Sequence, residues 1–434
     1  MSSLTITPKG PLRGTVHVPG DKSITHRALI LSALAEGSST IRGYCRGEDC
    51  LNTLSSLQQL GIPIKVEPDQ VHVSGKGLWG LTEPDEPLDC GNSGTGLRLL
   101  AGVLAGQQFF TVLTGDASLR SRPMGRIVKP LQRMGAHIEG RKGGELAPLA
   151  MTGAPLKGTD YTSPVSSAQI KSAVLLAGLF AEGETRFSEP VQSRDHTERM
   201  FRYLGIPFEA EGNSIQLTGR PSFQAKDLFV PGDLSAAAFF IVGASIVPNS
   251  EVTIPNIGLN PARTGILDIL IEMGADIQIL NQREESGEPV GDLFVKTATL
   301  RGTSIGASQV PKTIDEFPIF CVAAAMAQGQ TTVTGAEELR VKETDRIQAM
   351  ATELKKLNVP IEETPDGFVV QGGSTIQGGH CQSYGDHRVA MAIAITALTA
   401  QSPTTIDDTD CIDTSFPGFY DKLLELLTNS NRIL

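Results

Sequence analysis

The chain repeats itself, and the repeat limits the possible folds more than any single residue does. An amphipathic helix ending in Leu or Met, then Gly, then a short strand occurs as LGIPIKVE at Leu60, MGAHIEG at Met134, LGIPFEAEG at Leu204 and MGADIQIL at Met273. It returns with Asn in place of Gly as LNVPIEE at Leu357, and the successive intervals are 74, 70, 69 and 84 residues. Ile266, Leu267, Leu270 and Ile271 show the helical spacing of these segments. A Gly just past the last turn suits the left-handed cap position. A second strand follows each copy: VHVSG at Val71, LAMTG at Leu149, IQLTG at Ile215, LFVKT at Leu293 and FVVQG at Phe368.

Six longer Ala/Leu/Ile-rich segments interleave with these, at 25–35, 96–105, 168–181, 234–247, 316–327 and 387–400. They are apolar around most of the circumference, which marks buried helices. Each leads into a strand: STIRG at Ser39, FTVLTG at Phe110, TRFSEP at Thr185, VTIPNIG at Val252, TTVTGAEE at Thr331 and TTIDD at Thr404. The unit is therefore buried helix, strand, outer helix, strand, strand. Five copies are complete, and the sixth stops after a helix at 418–427. The strands LTITP at Leu4 and GTVHVP at Gly14 are expected to complete it. This predicts an α/β fold of two lobes with three repeats each, 19–231 and 1–18 plus 232–434. A solenoid fits poorly with so many all-apolar helices and a shared terminal unit. The charged stretch 281–291 is expected to be a hairpin loop.

Composition narrows the function. With 37 Lys+Arg against 48 Asp+Glu the net charge is −11, which argues against general binding of nucleic acid or an anionic membrane. No apolar run approaches the roughly 20 residues of a membrane span. The six cysteines form no CxxC pair and no disulfide scaffold. The start MSSLTITPKG lacks a signal or transit pattern, so a cytoplasmic protein without a metal signature is expected.

Several motifs place polar residues where the buried helices begin. PGDKSITHRA (19–28) opens the first with Lys22, Ser23, His26 and Arg27. Free backbone N–H groups, the helix dipole and these side chains together suit an anion. CGNSGTGLRLL (90–100) brings Asn92, Gly94, Thr95 and Arg98, and its glycines allow close backbone approach. It matches neither GxGxxG after a strand nor a GxxxxGK[ST] loop. DASLRSRPMGR (116–126) carries Arg120, Arg122 and Arg126. SPVSSAQIKSA (163–173) carries Ser166, Ser167 and Gln169, and SRDHTERM (193–200) carries Arg194, His196 and Arg199. Taken singly, these are equally well read as solvated charges or helix caps, including a capping box at Thr197. PKTIDEFP (311–318) with LRVKETDR (339–346) supplies Asp315, Lys342, Glu343, Asp345 and Arg346, and YGDHRVAMA (384–392) supplies Asp386, His387 and Arg388. A carboxylate just ahead of an apolar helix is costly unless paired or used. The recurrence outweighs the single readings. If the repeats pack symmetrically, these helix ends converge on a cleft between the lobes. Such a cleft suits a small ligand with phosphate or carboxylate groups, and Asp315 and Glu343 supply proton-transfer groups.

In combination, PGDKSITHRA, GNSGTGLR, RPMGR, LRVKETDR and DHRVAMA closely resemble the EPSP synthase family of enolpyruvyl transferases, over nearly the whole chain. The resemblance implies a two-lobed inside-out α/β barrel of six βαβαββ repeats. It also implies transfer of the enolpyruvyl group of phosphoenolpyruvate to the 5-hydroxyl of shikimate 3-phosphate, with release of phosphate. Carried over by position, Lys22 looks like a catalytic ligand of both substrates. Ser23, Arg27, Ser167, Gln169, Arg194, Asp315 and Lys342 look like shikimate 3-phosphate ligands. Asn92, Gly94, Arg122, Gln169, Glu343, Arg346 and Arg388 look like the phosphoenolpyruvate site. Asp315 resembles the base for the attacking hydroxyl, and Glu343 the acid that protonates the methylene carbon. No metal or organic cofactor is implied, no nucleic acid or membrane partner, and a monomer is expected. Where some members carry a Lys before the Phe-Pro pair, this sequence has Thr414 and Ser415, which favours the divergent bacterial branch. Part of that branch has Ala at Gly94, so Gly94 implies sensitivity to the phosphonate inhibitor glyphosate.

Two rivals differ at named positions. The UDP-N-acetylglucosamine enolpyruvyl transferases commonly carry Cys five residues before the Arg-Pro pair, where this sequence has Ala117, and open on KNA where this one reads Lys22-Ser23-Ile24. A non-catalytic phosphate-ligand binding protein would not need both Asp315 and Glu343.

Overall fold

The computed structural model describes residues 2–8 and 10–429. The chain divides into two compact units, one of residues 20–230 with 285–288, the other of residues 1–19, 231–284 and 289–434.

In the first unit the inner helices are Lys22–Leu34, Gly94–Leu104 and Ala168–Gly178. Their side chains are buried almost throughout, as expected for helices apolar on every face. Three four-stranded sheets surround them. In order across each sheet the strands are Leu228–Phe229, Glu36–Arg42, Gln70–Lys76 and Ile64–Val66; Leu88–Asp89, Phe110–Thr114, Leu146–Thr152 and His137–Gly140; and Asp160–Thr162, Glu184–Ser188, Ser214–Thr218 and Glu209–Glu211. The outer helices Glu48–Gln59, Gly125–Arg133 and His196–Leu204 bury one stripe each.

The second unit has inner helices Leu234–Ile246, Phe317–Met326 and His387–Ala397. Its sheets run Asp276–Glu285, Glu288–Lys296, Glu251–Gly258 and Arg13–Thr15; Ser304–Ile305, Gln330–Val333, Gly367–Gln371 and Ile361–Thr364; and Ser3–Ile6, Thr404–Asp407 and His380–Gln382.

Four of the six inner helices, Gly94–Leu104, Ala168–Gly178, Phe317–Met326 and His387–Ala397, join two strands that pair parallel, which makes the unit βαβαββ. The leading strand of two or three residues is too short to show any periodicity, and the sequence reading omits it. Two expectations need correction. Ser3–Ile6 does complete the sixth repeat, antiparallel to Thr404–Asp407, but Arg13–Thr15 pairs parallel to Glu251–Gly258 in the fourth. The fourth repeat needs that strand because Leu228–Phe229, which precedes its inner helix, pairs with Glu36–Arg42 of the first. The stretch 281–291 is a hairpin but hardly a loop: strands Asp276–Glu285 and Glu288–Lys296 meet at Ser286 and Gly287, both with positive φ (51° and 83°).

The left-handed caps fall where the repeat places them, at Gly61, Gly135, Gly205 and Gly274, and at Asn358 with φ 70°. At the other end of the second strand in three repeats, backbone meets the C-terminal carbonyls of the inner helix. A Cβ on Gly75 would collide with the carbonyl oxygens of Ser32 and Ala35, and Gly219 and Gly372 stand in the same relation to their own inner helices. The fourth repeat has Thr297 there. Its Oγ1 lies 2.6 Å from the Val247 carbonyl oxygen as donor and accepts from Ser250 N at 2.7 Å. A hydroxyl serves the carbonyl that the other repeats leave to close packing. Among the described residues no helix is long and apolar enough to cross a membrane.

Gly75→Ala should lower stability by about 1–3 kcal/mol as an overpacked site, and Thr297→Val by about 1–3 kcal/mol through unsatisfied backbone groups. Gly306→Ala, where a Cβ meets nothing within 4 Å, serves as the control. Urea midpoints unchanged in the first two variants would contradict the close-approach account.

Candidate active site

In the first unit the inner-helix starts are capped and polar. Asp21 accepts from Ile24 N at 2.9 Å, Ser93 from Gly96 N at 2.9 Å, and Ser167 caps Ala168–Gly178. Lys22 stands on the first turn with its Nζ 2.8 Å from Asp49 Oδ2, a residue in the first turn of Glu48–Gln59. Ser23 is half-buried beside it. Arg27 is 3% exposed and held beneath the surface: Nε donates to Thr197 Oγ1 at 2.8 Å, Nη2 to Ser172 Oγ at 2.7 Å and Nη1 to the Ser23 carbonyl at 2.8 Å. Burial pulls its pKa down to about 10, and the charge of Arg194 adds to the effect. Thr197 therefore serves Arg27, and the helix His196–Leu204 has Asp195 at its cap position, which corrects the capping-box reading.

Arg122 and Asn92 form a second group. Arg122 donates from Nη2 to Asn92 Oδ1 at 2.5 Å and from Nη1 to its carbonyl at 3.1 Å, and Asn92 donates to Asp116 at 2.7 Å. A Cβ on Gly94 would lie 3.0 Å from Arg98 Nη1 and 3.4 Å from Arg122 Nη1. Gln169 is half-buried, accepts from Arg98 and donates to Thr95 Oγ1 at 3.0 Å.

In the second unit Arg346 is the hub. It is 2% exposed, donates from Nε to Asp386 Oδ2 at 2.8 Å, and has Nη2 2.6 Å from Glu343 and Nη1 3.7 Å from Asp315. Burial alone would weaken its proton affinity, but Asp386, Glu343 and Asp315 outweigh that and raise it. Asp386 also caps His387–Ala397 by accepting from Arg388 N at 2.8 Å. Lys342 and Glu343 precede the helix Arg346–Lys356, which Asp345 caps by accepting from Gln348 N at 3.0 Å. Burial lowers the Lys342 pKa against the pull of Asp315. Arg388 is 6% exposed, and among the described residues its side chain has no hydrogen-bond or ion-pair partner. Thr414 lies 3.4 Å from His387 Nδ1, so a hydroxyl stands near the start of that helix.

Other motif residues have structural roles. His26 is enclosed, with Nδ1 2.8 Å from Thr53 Oγ1, and burial with Lys22 and Arg27 nearby pulls its pKa to about 3. His196 pairs with Glu288 at 2.7 Å, and Arg199 with Asp195 at 2.9 Å. The sequence reading missed Asp49, Arg263 and Lys171. Lys171 is fully buried between Glu189 (3.0 Å) and Glu198 (2.7 Å), the latter with its pKa raised by burial. A lysine on an apolar helix was a signal available for it. Arg263, in NPARTG, gave none.

Inner helices that open on Lys, Arg, Ser and Gln, with carboxylates beside a buried Arg, give a repeat-built α/β protein whose helix starts are chemically suited to small anionic ligands. The family model described as EPSP synthase (3-phosphoshikimate 1-carboxyvinyltransferase) matches residues 6–423. A 3-phosphoshikimate 1-carboxyvinyltransferase of Geobacter metallireducens is 53% identical over 420 residues, 97% of this chain and 98% of its own, and one of Alkaliphilus metalliredigens is 52% identical over 412 residues, 95% and 97%. The solved EPSP synthase of Acinetobacter baumannii superposes with a TM-score of 0.88 at 44% identity, covering 98% of each chain. The chain belongs to the EPSP synthase family.

His26 binds its proton more weakly folded than unfolded. Stability is therefore present above the unfolded pKa near 6.5 and is lost as pH falls toward 3. Between pH 7 and pH 5 this is about 2 kcal/mol. Urea titrations of wild type and His26→Gln should show the variant with the shallower loss. Equal pH slopes would remove His26 as the cause.

Proposed function

We propose that the chain catalyses the family's reaction: phosphoenolpyruvate and shikimate 3-phosphate give 5-enolpyruvylshikimate 3-phosphate and phosphate, as a monomer in the cytoplasm. The observation that carries the anion-binding part is Arg388, a nearly buried guanidinium without a protein partner beside the Arg346 cluster. A guanidinium without a protein acceptor is available to a ligand carboxylate or phosphate, which it can hold through charge-assisted, two-pronged hydrogen bonds.

Arg122, Arg346 and Arg388 hold phosphoenolpyruvate, with Asn92 and Gly94 shaping its place and Gln169 at its edge. Ser23, Arg27, Ser167, Gln169, Arg194 and Lys342 hold shikimate 3-phosphate, and Lys22 serves both ligands. Asp315 takes the 5-hydroxyl proton as that oxygen attacks C2 of phosphoenolpyruvate. Glu343 delivers a proton to the methylene carbon, giving a tetrahedral intermediate. The new methyl then loses a proton as the C–O bond to phosphate breaks. A ligand carboxylate that takes Arg346 releases Glu343 from its ion pair to carry the proton it must donate. Thr414 and Ser415 supply no cation, so the arginines together with Lys22 carry the phosphoenolpyruvate charge. A methyl at Gly94 would press on Arg98 and Arg122, so glycine there spares these side chains for glyphosate, which should inhibit at micromolar concentration in competition with phosphoenolpyruvate. Undiminished turnover under those conditions would count against this placement of Gly94.

Phosphate release from the purified protein with both substrates tests the reaction. Release with UDP-N-acetylglucosamine in place of shikimate 3-phosphate would favour the rival transferase instead. Asp315→Asn and Glu343→Gln should each lower kcat by roughly 10²-fold or more, with ligand binding less affected. A variant that turns over normally has lost its residue from the mechanism.

A further inference from the structure

Arg263 has no role in the site as described so far, yet its surroundings are unusual. It lies just before the helix Gly265–Glu272, is 4% exposed, and points into carboxylates. Nη2 donates to Asp233 Oδ1 at 2.8 Å and to Ser235 Oγ at 2.7 Å, while Nη1 stands 3.8 Å from Asp315 Oδ2. Ser235 in turn donates to Glu316, a carboxylate 1% exposed. Asp233 caps the inner helix Leu234–Ile246 by accepting from Ser235 N at 2.8 Å.

Asp315 is therefore flanked from two directions. Arg346 faces one oxygen at 3.7 Å and Arg263 the other at 3.8 Å. Lys342 adds a third positive charge, felt electrostatically. Against these stand Glu316 next in the chain, Asp233 across Arg263, and Glu343 and Asp386 across Arg346. A base for a sugar-ring hydroxyl must be ionised when the ligand arrives. Neighbouring carboxylates work against that, and a cation within about 4–6 Å works for it. The two arginines are not equivalent in this respect. Arg346 also faces Glu343 and is proposed to pair with ligand, whereas Arg263 is tied to protein groups on its other edge.

We propose that Arg263 is a positioning residue for Asp315: anchored by Asp233 and Ser235, it keeps the Asp315 carboxylate ionised and oriented when the substrate carboxylate engages Arg346. This rests on Asp315 being the base. Arg263 acts through Asp315 and touches no ligand itself.

The pH dependence of kcat with both substrates saturating tests it. Arg263→Gln should move the acid limb upward by about one unit, because a lost cation raises the carboxyl's proton affinity. Turnover should then fall roughly tenfold below that limb and much less at pH 8. Arg263→Lys, which keeps the charge, should restore most of the shift. Asp233→Asn keeps the cap and removes a carboxylate that competes for Arg263, so the limb should move downward by about half a unit. This opposite shift decides the matter even if Arg263→Gln does not fold. In an Asp315→Asn background Arg263→Gln should cost no more than about twofold, and a fully additive loss would mean that Arg263 acts structurally. Slow Asp315→Asn with unmoved limbs in the Arg263 and Asp233 variants overturns the part given to Arg263 alone. Normal turnover in Asp315→Asn overturns the base assignment itself.

Discussion

An α-helix that is apolar on every face can be stable in water only at the centre of a folded unit, and six such helices organise this protein. Leu234–Ile246 is the extreme case, buried along its whole length. Such a helix has only its two ends for polar chemistry. The C-terminal ends are sealed, by glycine strands pressed on the last carbonyls in some repeats and by the hydroxyl of Thr297 in the fourth. The N-terminal ends remain, where N–H groups and the positive end of the dipole are available. Lys22, Gly94, Gln169, Asp315 and Arg388 all stand within a residue or two of such an end. In each unit the polar residues at these ends are thus a consequence of how the core is built.

Placing several cations at these ends has its own cost, and the protein meets it with buried carboxylates. Asp49 faces Lys22, Asp386 and Glu343 face Arg346, Asp233 faces Arg263, and Glu189 with Glu198 enclose Lys171. Removing one member of such a pair leaves an uncompensated buried charge. Arg388 departs from this pattern, and the proposed function gives it an anionic ligand as its partner. A net charge of −11 is therefore compatible with local cations placed at the helix ends.

Much of this was legible in the sequence because it is local. The Leu-Gly and Met-Gly junctions at Gly61, Gly135, Gly205 and Gly274 mark helix ends through a backbone angle that favours glycine, and the apolar runs mark the inner helices. The leading strands were not legible: Leu88–Asp89 and Ser304–Ile305 are two residues long and gain their identity only from a parallel neighbour. For the same reason the exchange that sends Arg13–Thr15 to the fourth repeat was out of reach. In the site, residues at helix starts could be named, but their partners could not. Nothing in the sequence joins Lys22 to Asp49 or Arg263 to Asp315. Thr197, which resembles a cap, serves Arg27 from another element.

Hydrogen exchange with and without shikimate 3-phosphate and glyphosate tests the central claim most directly, because the claim is about particular backbone amides. Exchange should slow in the first turns of the inner helices that begin at Lys22, Gly94, Ala168, Phe317 and His387, with little change at their C-terminal ends. Unchanged exchange at those first turns, with protection appearing instead on the outer helices or sheet faces, would contradict it.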